Sequence, residues 1–224
     1  MKIVPGEADE EVELGFRYLD PRIIETPSIA LGQVSKEVFR MGQIVDENVA
    51  TSGKAFKNRD EKMTQEVFSQ EKVINRLERD IIEYLVDLSN APLTDEQHTQ
   101  VNVLINVVND VERVGDHADN IAELAQEIID ERLEFSDEAM EEFDTIFGKT
   151  QEVFHRTLEA FRDVDFDKAR EVLRLEEEID SLEKLYRSNH IDRLNKLLCN
   201  PNSGVLFLDL ISNLERISDH SSNI

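Results

Sequence analysis

Two acidic residues, Glu112 and Asp116, stand four positions apart in the segment VERVGDHADNI. The last eleven residues of the chain, LERISDHSSNI, repeat this spacing with Glu215 and Asp219. Side chains four positions apart lie on one face of a helix, so each segment presents a pair of carboxylates to one side. Carboxylate oxygens are the ligands that hard divalent and trivalent cations prefer. The spacing therefore indicates a cation-binding position in each half of the chain.

Two further pairs have the same spacing, Glu71 with Asn75 and Glu176 with Asp180. Like charges at this spacing weaken a helix by roughly a few tenths of a kcal/mol. The chain has 49 acidic against 25 basic residues, which is too few bases to neutralise every acid. Facing pairs from two helices can supply the roughly four to six oxygen donors that one cation needs. The predicted metal ligands are Glu112, Asp116, Glu215, Asp219, Glu71, Asn75, Glu176 and Asp180.

The elements that must carry these residues are helices. Apolar residues recur at intervals of three and four, and only eight glycines and five prolines interrupt the chain. This period is typical of amphipathic helices and predicts an all-α protein. Thr26 before Pro27, and the TDEQ segment that begins at Thr94, have the spacing of helix starts. The expected helices cover about 27–57, 60–89, 94–133 and 135–161, followed by a fifth that ends near 199 and a sixth that opens at NPNSG.

The second half of the chain repeats the first. A shift of 105 residues superposes Phe56 on Phe161 and Glu71 on Glu176 without a gap, and the shift is 103 for the two segments that carry the acid pairs. Repeats of this length are whole three-helix units. We expect a leader and connector over 1–26, a first three-helix repeat over 27–133, and a second over 134–224 whose last helix is cut short.

Charge and cysteine content narrow the function classes. A formal net charge of −24 repels phosphate backbones and anionic lipid headgroups, which argues against nucleic acid and direct lipid binding. The single cysteine, Cys199, can form neither an internal disulfide nor a thiolate metal site, which suits the cytosol. No stretch approaches the roughly 18 uninterrupted apolar residues of a membrane span, so we expect a soluble chain.

Three alternatives stay open. A di-iron or di-manganese bundle enzyme needs two Glu-x-x-His pairs and two further glutamates. This chain has one such pair, Glu152 with His155, and the repeat places Glu47 and Ala50 at the matched positions, so we predict no catalysis. A metal-free helical adaptor that holds a partner or forms a homodimer is the second alternative. The third is an acidic surface inherited by duplication, because acid pairs at this spacing are frequent in so acidic a chain.

Other polar residues near the acid pairs have structural interpretations. His117 and His220 directly follow the two aspartates, so they point about 100° away from the carboxylates, which favours a helix–helix hydrogen bond. Arg113 and Arg216 stand among the acids, where they can orient the carboxylates or contact phosphate, although a plain ion pair is the common case. His190 has no partner in the pattern and is expected at the surface.

The segments NDVERVGDHADNIAE and SNLERISDHSSNI resemble the paired signature of the PhoU family of phosphate-uptake regulators, over about residues 28–224. The family's helix-2 element is similar to QEKVIN and LEEEID, with Asn75 in place of the expected aspartate. The resemblance implies a six-helix PhoU-like bundle of two tandem three-helix repeats. It also implies regulation of phosphate transport and the binding of iron, zinc or nickel ions in multinuclear clusters, with inorganic phosphate as a further candidate ligand.

The connector YLDPRIIETPSIALGQVSKEVFRMGQIV is similar to the segment that joins the membrane part of bacterial sodium/phosphate cotransporters to a C-terminal PhoU-like domain. This narrower resemblance implies a regulatory domain at the cytoplasmic face of the cell membrane. Its partner would be the membrane transporter portion of the same polypeptide, with the spans lying before Met1. The corresponding hypothesis is that the domain reports metal or phosphate status, or oligomerises, and thereby biases transport.

Overall fold

The computed structural model describes residues 17–224, so residues 1–16 of the leader and connector predicted for 1–26 lie outside the described residues. One short 3-10 helix, Pro21–Glu25, precedes six α-helices in the described chain. The α-helices are α1 Pro27–Asn58, α2 Glu61–Ser89, α3 Asp95–Asp130, α4 Asp137–Asp163, α5 Phe166–Asn195 and α6 Pro201–Asn223. The prediction of an all-α, six-helix bundle is confirmed.

Helix starts follow from capping side chains, which satisfy the free N–H groups of a first turn. Asp60 and Asp165, which the 105-residue shift relates, each accept two backbone N–H bonds at the start of α2 and α5. Thr94 begins α3 with a capping box. Arg59 and Val164, again matched positions, end α1 and α4 in left-handed backbone conformation. The duplication is therefore visible in the turns as well as in the helices.

The sequence placed the ends of α3 and α5 a few residues too late. Arg132 and Leu197 adopt left-handed backbone conformation just beyond these helices. The residue after each one donates its N–H to the carbonyl five positions back, which closes the helix end in a Schellman turn. Neither turn contains glycine, which is the usual sequence marker of such a helix end. The predicted helices were therefore extended past the true ends.

The core of the first repeat forms on a face of α3 that changes from large to small side chains. Small residues let neighbouring helices approach closely, so α2 lies near α3 at its small end. The residues of this face, predicted as core from their spacing, are all buried, namely Val101, Leu104, Val108, Val111, Gly115, Ala118, Ala122 and Ala125.

The two repeats contact each other through α1 with α4 and through α3 with α6. A Cβ atom added to Gly42 of α1 would lie 2.4 Å from Leu158 Cδ2 of α4, and one added to Gly53 would lie 2.0 Å from Phe147 Cζ. The 105-residue shift matches Gly42 with Phe147 and Gly53 with Leu158. The contact is thus reciprocal, with both glycines supplied by the first repeat and both large side chains by the second.

The connector is fixed to the first repeat. The carboxylate of Glu37, fully buried on α1, accepts the backbone N–H groups of Arg17 at 3.2 Å and Tyr18 at 2.8 Å. The Tyr84 hydroxyl of α2 donates to the Asp20 carbonyl at 3.2 Å. Among residues 17–224, no helix combines the length and the apolar character needed to cross a bilayer.

Candidate metal centres

The acid pairs of the second repeat converge. Glu176 and Asp180 of α5 and Asp219 of α6 each offer a carboxylate oxygen, and these three oxygens lie within 4.8 Å of one another. Burial raises the pKa of Glu176, and the nearby Asp180 and Asp219 carboxylates raise it further. Three oxygens in this arrangement repel when ionised, and a bound cation would turn the repulsion into a cross-link between α5 and α6.

Glu215 lies at the edge of this second-repeat cluster. Burial raises the pKa of Glu215, and Asp219, Asp180 and Glu183 add to the effect. The basic residues around the cluster are exposed: Arg216 lies 3.3 Å from Asp219, and Lys184 Nζ lies 2.7 Å from Asp180 Oδ2. Exposed ion pairs of this kind contribute about 0–1 kcal/mol each, so a cation can displace them.

The corresponding first-repeat cluster is deeper. Glu71 of α2 is only 7 % exposed, and neither of its carboxylate oxygens has a hydrogen-bond partner. The pKa of Glu71 is raised to about 7, mainly by burial, and Asp116, Asp119 and Glu112 of α3 contribute to the increase. The exposed Asn75 amide has a small opposing effect on this pKa but does not reach hydrogen-bonding geometry with either oxygen. A buried carboxylate with no partner is costly, and a cation is the partner that its surroundings fit.

A glycine explains why Glu71 is buried and its counterpart Glu176 is not. Glu71 Oε2 lies 3.2 Å from the place where a Cβ of Gly115 would be, so the carboxylate occupies space that a side chain would fill. The matched residue on α6 is Ser218, whose side chain is buried at that place. Glu176 is therefore kept further out, where it meets Asp180 and Asp219.

Glu112 and Asp116 lie at the edge of the buried face of α3, as predicted, and both remain partly exposed. Burial raises the pKa of Glu112, and the Asp116 carboxylate raises it further. Arg113, which is mostly exposed, lies 4.0 Å from Glu112 and 3.7 Å from Asp116. This repeats the placement of Arg216 beside Glu215 and Asp219, so each arginine bridges the two acids of its own motif.

The histidines that follow the aspartates join the two repeats. His117 Nδ1 of α3 lies 2.9 Å from Asn213 Oδ1 of α6, and His220 Nδ1 lies 2.9 Å from Asp110 Oδ1. The 103-residue shift matches Asp110 with Asn213, so the two contacts are reciprocal. The two rings stack with centroids 5.6 Å apart. The predicted helix–helix hydrogen bonds are confirmed, and they join α3 to α6 at residues that directly follow Asp116 and Asp219.

Two other histidines lie away from both clusters. The expectation that His190 is a surface residue is wrong: it is 1 % exposed and stacks on Phe207 with centroids 4.8 Å apart. Its matched residue in the first repeat is Leu85, a core position, and Gly204 leaves space for the ring. His155 of α4 is exposed and contacts Asp46 of α1 at 3.3 Å.

Asp119 was not among the predicted ligands. Its Oδ1 atom is buried and has no hydrogen-bond partner, and burial raises its pKa, with Glu123 and Asp116 adding to the effect. The available signal was the difference between the two motifs, GDHADN and SDHSSN, in which Asp119 is matched by Ser222. A search for residues that the two motifs share does not find Asp119.

A PhoU domain family model matches residues 38–125 and 143–224, which cover both motifs and most of the six helices. The chain belongs to the PhoU family. The two matched stretches of this PhoU protein fall on its two three-helix halves.

Named relatives agree with this assignment. The chain is similar to a Clostridium acetobutylicum protein named "Phosphate-specific transport system accessory protein PhoU homolog", with 24 % identity over 87 % of this chain and 88 % of that protein. The structure of the present chain is similar to that of PhoU from Pseudomonas aeruginosa, with a TM-score of 0.80, 25 % identity and coverage of 86 % of this chain and 92 % of the other.

A second solved structure shows the same fold. It is the phosphate transport system regulatory protein PhoU from Streptococcus pneumoniae, with a TM-score of 0.78, 21 % identity and coverage of 88 % of this chain and 92 % of the other. The names of these relatives mention PhoU and phosphate transport systems, not sodium/phosphate cotransporters. The narrower resemblance of the connector to a cotransporter segment therefore stays a prediction.

Proposed function

We propose that this PhoU-family chain is a non-catalytic, metal-binding regulator of phosphate transport. The observation that carries the metal-binding part is the convergence of Glu176, Asp180 and Asp219, whose ligand atoms lie within 4.8 Å of one another. The unpartnered, buried carboxylate of Glu71 supports a site at the matched place in the first repeat. Membership of the family and the names of the relatives support the role in phosphate transport.

The chemistry of the donor set fits transition-metal cations. The residues that would hold them are oxygen donors: Glu71, Glu112, Asp116 and the Asn75 amide in the first repeat, and Glu176, Asp180, Glu215 and Asp219 in the second. Such donors suit iron, zinc or nickel in clusters of more than one ion, and a cation whose coordination is left open can also take inorganic phosphate. What the cation supplies is a cross-link between the middle and last helices of each repeat.

The contacts between the helices could transmit the effect of a bound cation from one repeat to the other. Each acidic cluster lies beside the reciprocal His117 and His220 contact between α3 and α6, so a shift of either helix reaches the other repeat. The connector is held to α1 and α2 by Glu37 and Tyr84. Under the narrower resemblance, this connector would couple the bundle to the membrane portion of a sodium-dependent phosphate transporter and bias its activity.

Elemental analysis tests the metal-binding part. The protein is equilibrated in turn with Fe²⁺, Zn²⁺, Ni²⁺ and Mn²⁺, dialysed and analysed. We expect bound metal in the wild type and a reduced content in Asp116→Asn and in Asp219→Asn, each of which replaces an anionic carboxylate ligand with a weaker, neutral amide. Glu83→Gln is the control, because Glu83 is an exposed acid of α2. Metal content that neither aspartate substitution changes would remove the site assignment.

Uptake of radiolabelled phosphate tests the regulatory part. Cells that lack this chain are complemented with the wild type or with the double variant Asp116→Asn/Asp219→Asn. We expect the double variant to change the dependence of uptake on external phosphate, whereas Glu83→Gln leaves it at the wild-type level. Identical uptake in all three strains would contradict a regulatory role for the clusters.

A further inference from the structure

We propose that Asp119 is a metal ligand of the first repeat and supplies the carboxylate that is missing at Asn75. The inference rests on the proposed metal-binding function and names the ligand set of one of its two sites. That site would be built from Glu71, Asp116 and Asp119. Its third carboxylate would come from the last helix of the repeat, whereas the third carboxylate of the second-repeat site, Asp180, comes from the middle helix.

The two repeats exchange an acid for a neutral residue at two positions. On the middle helices, the first repeat has Asn75 where the second has Asp180. On the last helices, the first repeat has Asp119 where the second has Ser222. At these two positions each repeat therefore has one carboxylate. It lies on the last helix in the first repeat and on the middle helix in the second. A compensating pair of changes is what a preserved coordination number requires when one ligand moves.

The surroundings of Asp119 point to a cation. Its Oδ1 atom is buried without a hydrogen-bond partner, and both oxygens of Glu71 are in the same condition. Asp116 and Asp119 are three positions apart on α3, so they face the same side. Glu71 Oε2 lies 3.2 Å from the place of a Gly115 Cβ, and Asp119 is one helical turn beyond Gly115 on the same face of α3. A cation bound between α2 and α3 would supply the partner that the two Glu71 oxygens and Asp119 Oδ1 lack.

The position of Asn75 agrees with this assignment. Its side chain is exposed, whereas the matched Asp180 is partly buried and belongs to the converging set of the second repeat. Burial of the Glu71 carboxylate over Gly115 draws this ligand toward α3 and away from the outer surface of α2. The carboxylates that it then faces are those of Asp116 and Asp119, which follow Gly115 on α3.

Titration with Mn²⁺, followed by electron paramagnetic resonance of free and bound ion, tests the inference. Mn²⁺ is the probe because it favours oxygen ligands. We expect the wild type to bind ions in both repeats and Asp119→Ser to lose the ions of the first repeat. The double variant Asp119→Ser/Asn75→Asp copies the arrangement of the second repeat and should regain them. Glu123→Gln removes the exposed acid one turn from Asp119 and should bind as the wild type does.

The outcomes separate the inference from the function on which it rests. If the wild type binds Mn²⁺ and Asp119→Ser binds it with unchanged stoichiometry and affinity, Asp119 is not a ligand, and the proposed function still stands. If the wild type binds neither Mn²⁺ nor, by elemental analysis, Fe²⁺, Zn²⁺ or Ni²⁺, both the inference and the metal-binding part of the proposed function are overturned. A thermal melt in chelator serves as the folding control. Asp119→Ser removes a partly buried charge, so the variant should melt no lower than the wild type, and a lower melting temperature would indicate misfolding. If Asp119→Ser loses ions that the double variant does not regain, the idea that Asp119 compensates for the carboxylate missing at Asn75 is wrong.

Discussion

The two acidic clusters occupy matched places in the two repeats, yet they hold their carboxylates differently. The second-repeat cluster is partly exposed and brings three ligand atoms within 4.8 Å of one another. The first-repeat cluster buries one glutamate, Glu71, with neither oxygen partnered. A single small residue, Gly115 in place of Ser218, accounts for much of this difference. Duplicated motifs can thus keep the same spacing of acids and still differ in how deeply those acids are buried.

The comparison predicts its largest effect when a cation is added, because both clusters are destabilised without one. A ligand that binds only the folded state stabilises it by about 2.7 kcal/mol at a free concentration 100 times its Kd, so two occupied sites would contribute about 5 kcal/mol. We expect the melting temperature of chelator-treated protein to rise by roughly 10–20 °C on addition of Mn²⁺. A metal-free helical adaptor would melt at the same temperature with and without it.

In the contact between α1 and α4, the first repeat supplies the glycines and the second repeat supplies the large side chains. Gly53→Ala tests how closely these two helices approach. The added Cβ would lie 2.0 Å from the Phe147 ring, so the helices must separate. Overpacking of this kind costs about 3 kcal/mol, which chemical denaturation measures. Gly148→Ala is the control, because nothing lies within 4 Å of its added Cβ. A helical glycine replaced by alanine without a clash gains about 1 kcal/mol, and equal effects in both variants would contradict the close contact.

The difference in burial between Glu71 and Glu176 predicts a pH dependence for the metal-free protein. The folded-state pKa of Glu71 is about 7, above its value of 4.5 in an unfolded chain. The folded state therefore binds more protons between these values, and its stability falls as pH rises through this range. Glu71→Gln should remove the loss and stabilise the chelated protein at pH 7.5 by about 3 kcal/mol.

Denaturation in chelator at pH 5 and pH 7.5 measures this effect. The matched substitution Glu176→Gln should give a smaller gain, because Glu176 is less buried. If Glu176→Gln stabilised the protein as much as Glu71→Gln, the distinction between a deep and a shallow cluster would be wrong.

The smallest expected effect on stability comes from Gly115→Ala, which makes the first cluster more like the second. The added Cβ would lie 3.2 Å from Glu71 Oε2 and from Ile74 Cγ2, so these side chains must shift slightly. The gain in helix propensity offsets that shift, and the net change should stay within about 1 kcal/mol. The informative readout is the pKa of Glu71, followed by NMR of the carboxyl carbon, which should fall toward its ordinary value. An unchanged pKa would mean that Gly115 does not determine the burial of Glu71.

Much of the fold could be predicted from the sequence, because the helical period and the 105-residue shift are local and repetitive signals. The heptad face of α3 and the capping box at Thr94 are examples of such signals. The non-glycine turns at Arg132 and Leu197 are not encoded in this way, so the helix ends were misplaced. His190 was misplaced for another reason: its burial depends on Gly204 of the next helix, which the spacing of residues on α5 cannot show.

The candidate site was predicted in part. The spacing put Glu176 and Asp180 on one face of α5, and the structure brings Asp219 to them. The depth of Glu71 depends on how closely α2 approaches α3, which is a property of packing between helices. Asp119 is not at the four-residue spacing of the motif, so a search for that spacing does not find it. Comparison of the two copies at the positions where they differ would have found it.

Anomalous diffraction from crystals grown with Mn²⁺ tests most directly whether the clusters are cation sites. We expect one or more manganese peaks among Glu176, Asp180 and Asp219, and separate peaks beside Glu71, Asp116 and Asp119. The account is contradicted if the crystals contain manganese elsewhere or not at all, with Lys184 and Arg216 still paired to the second-repeat acids and the oxygens of Glu71 left without an ion.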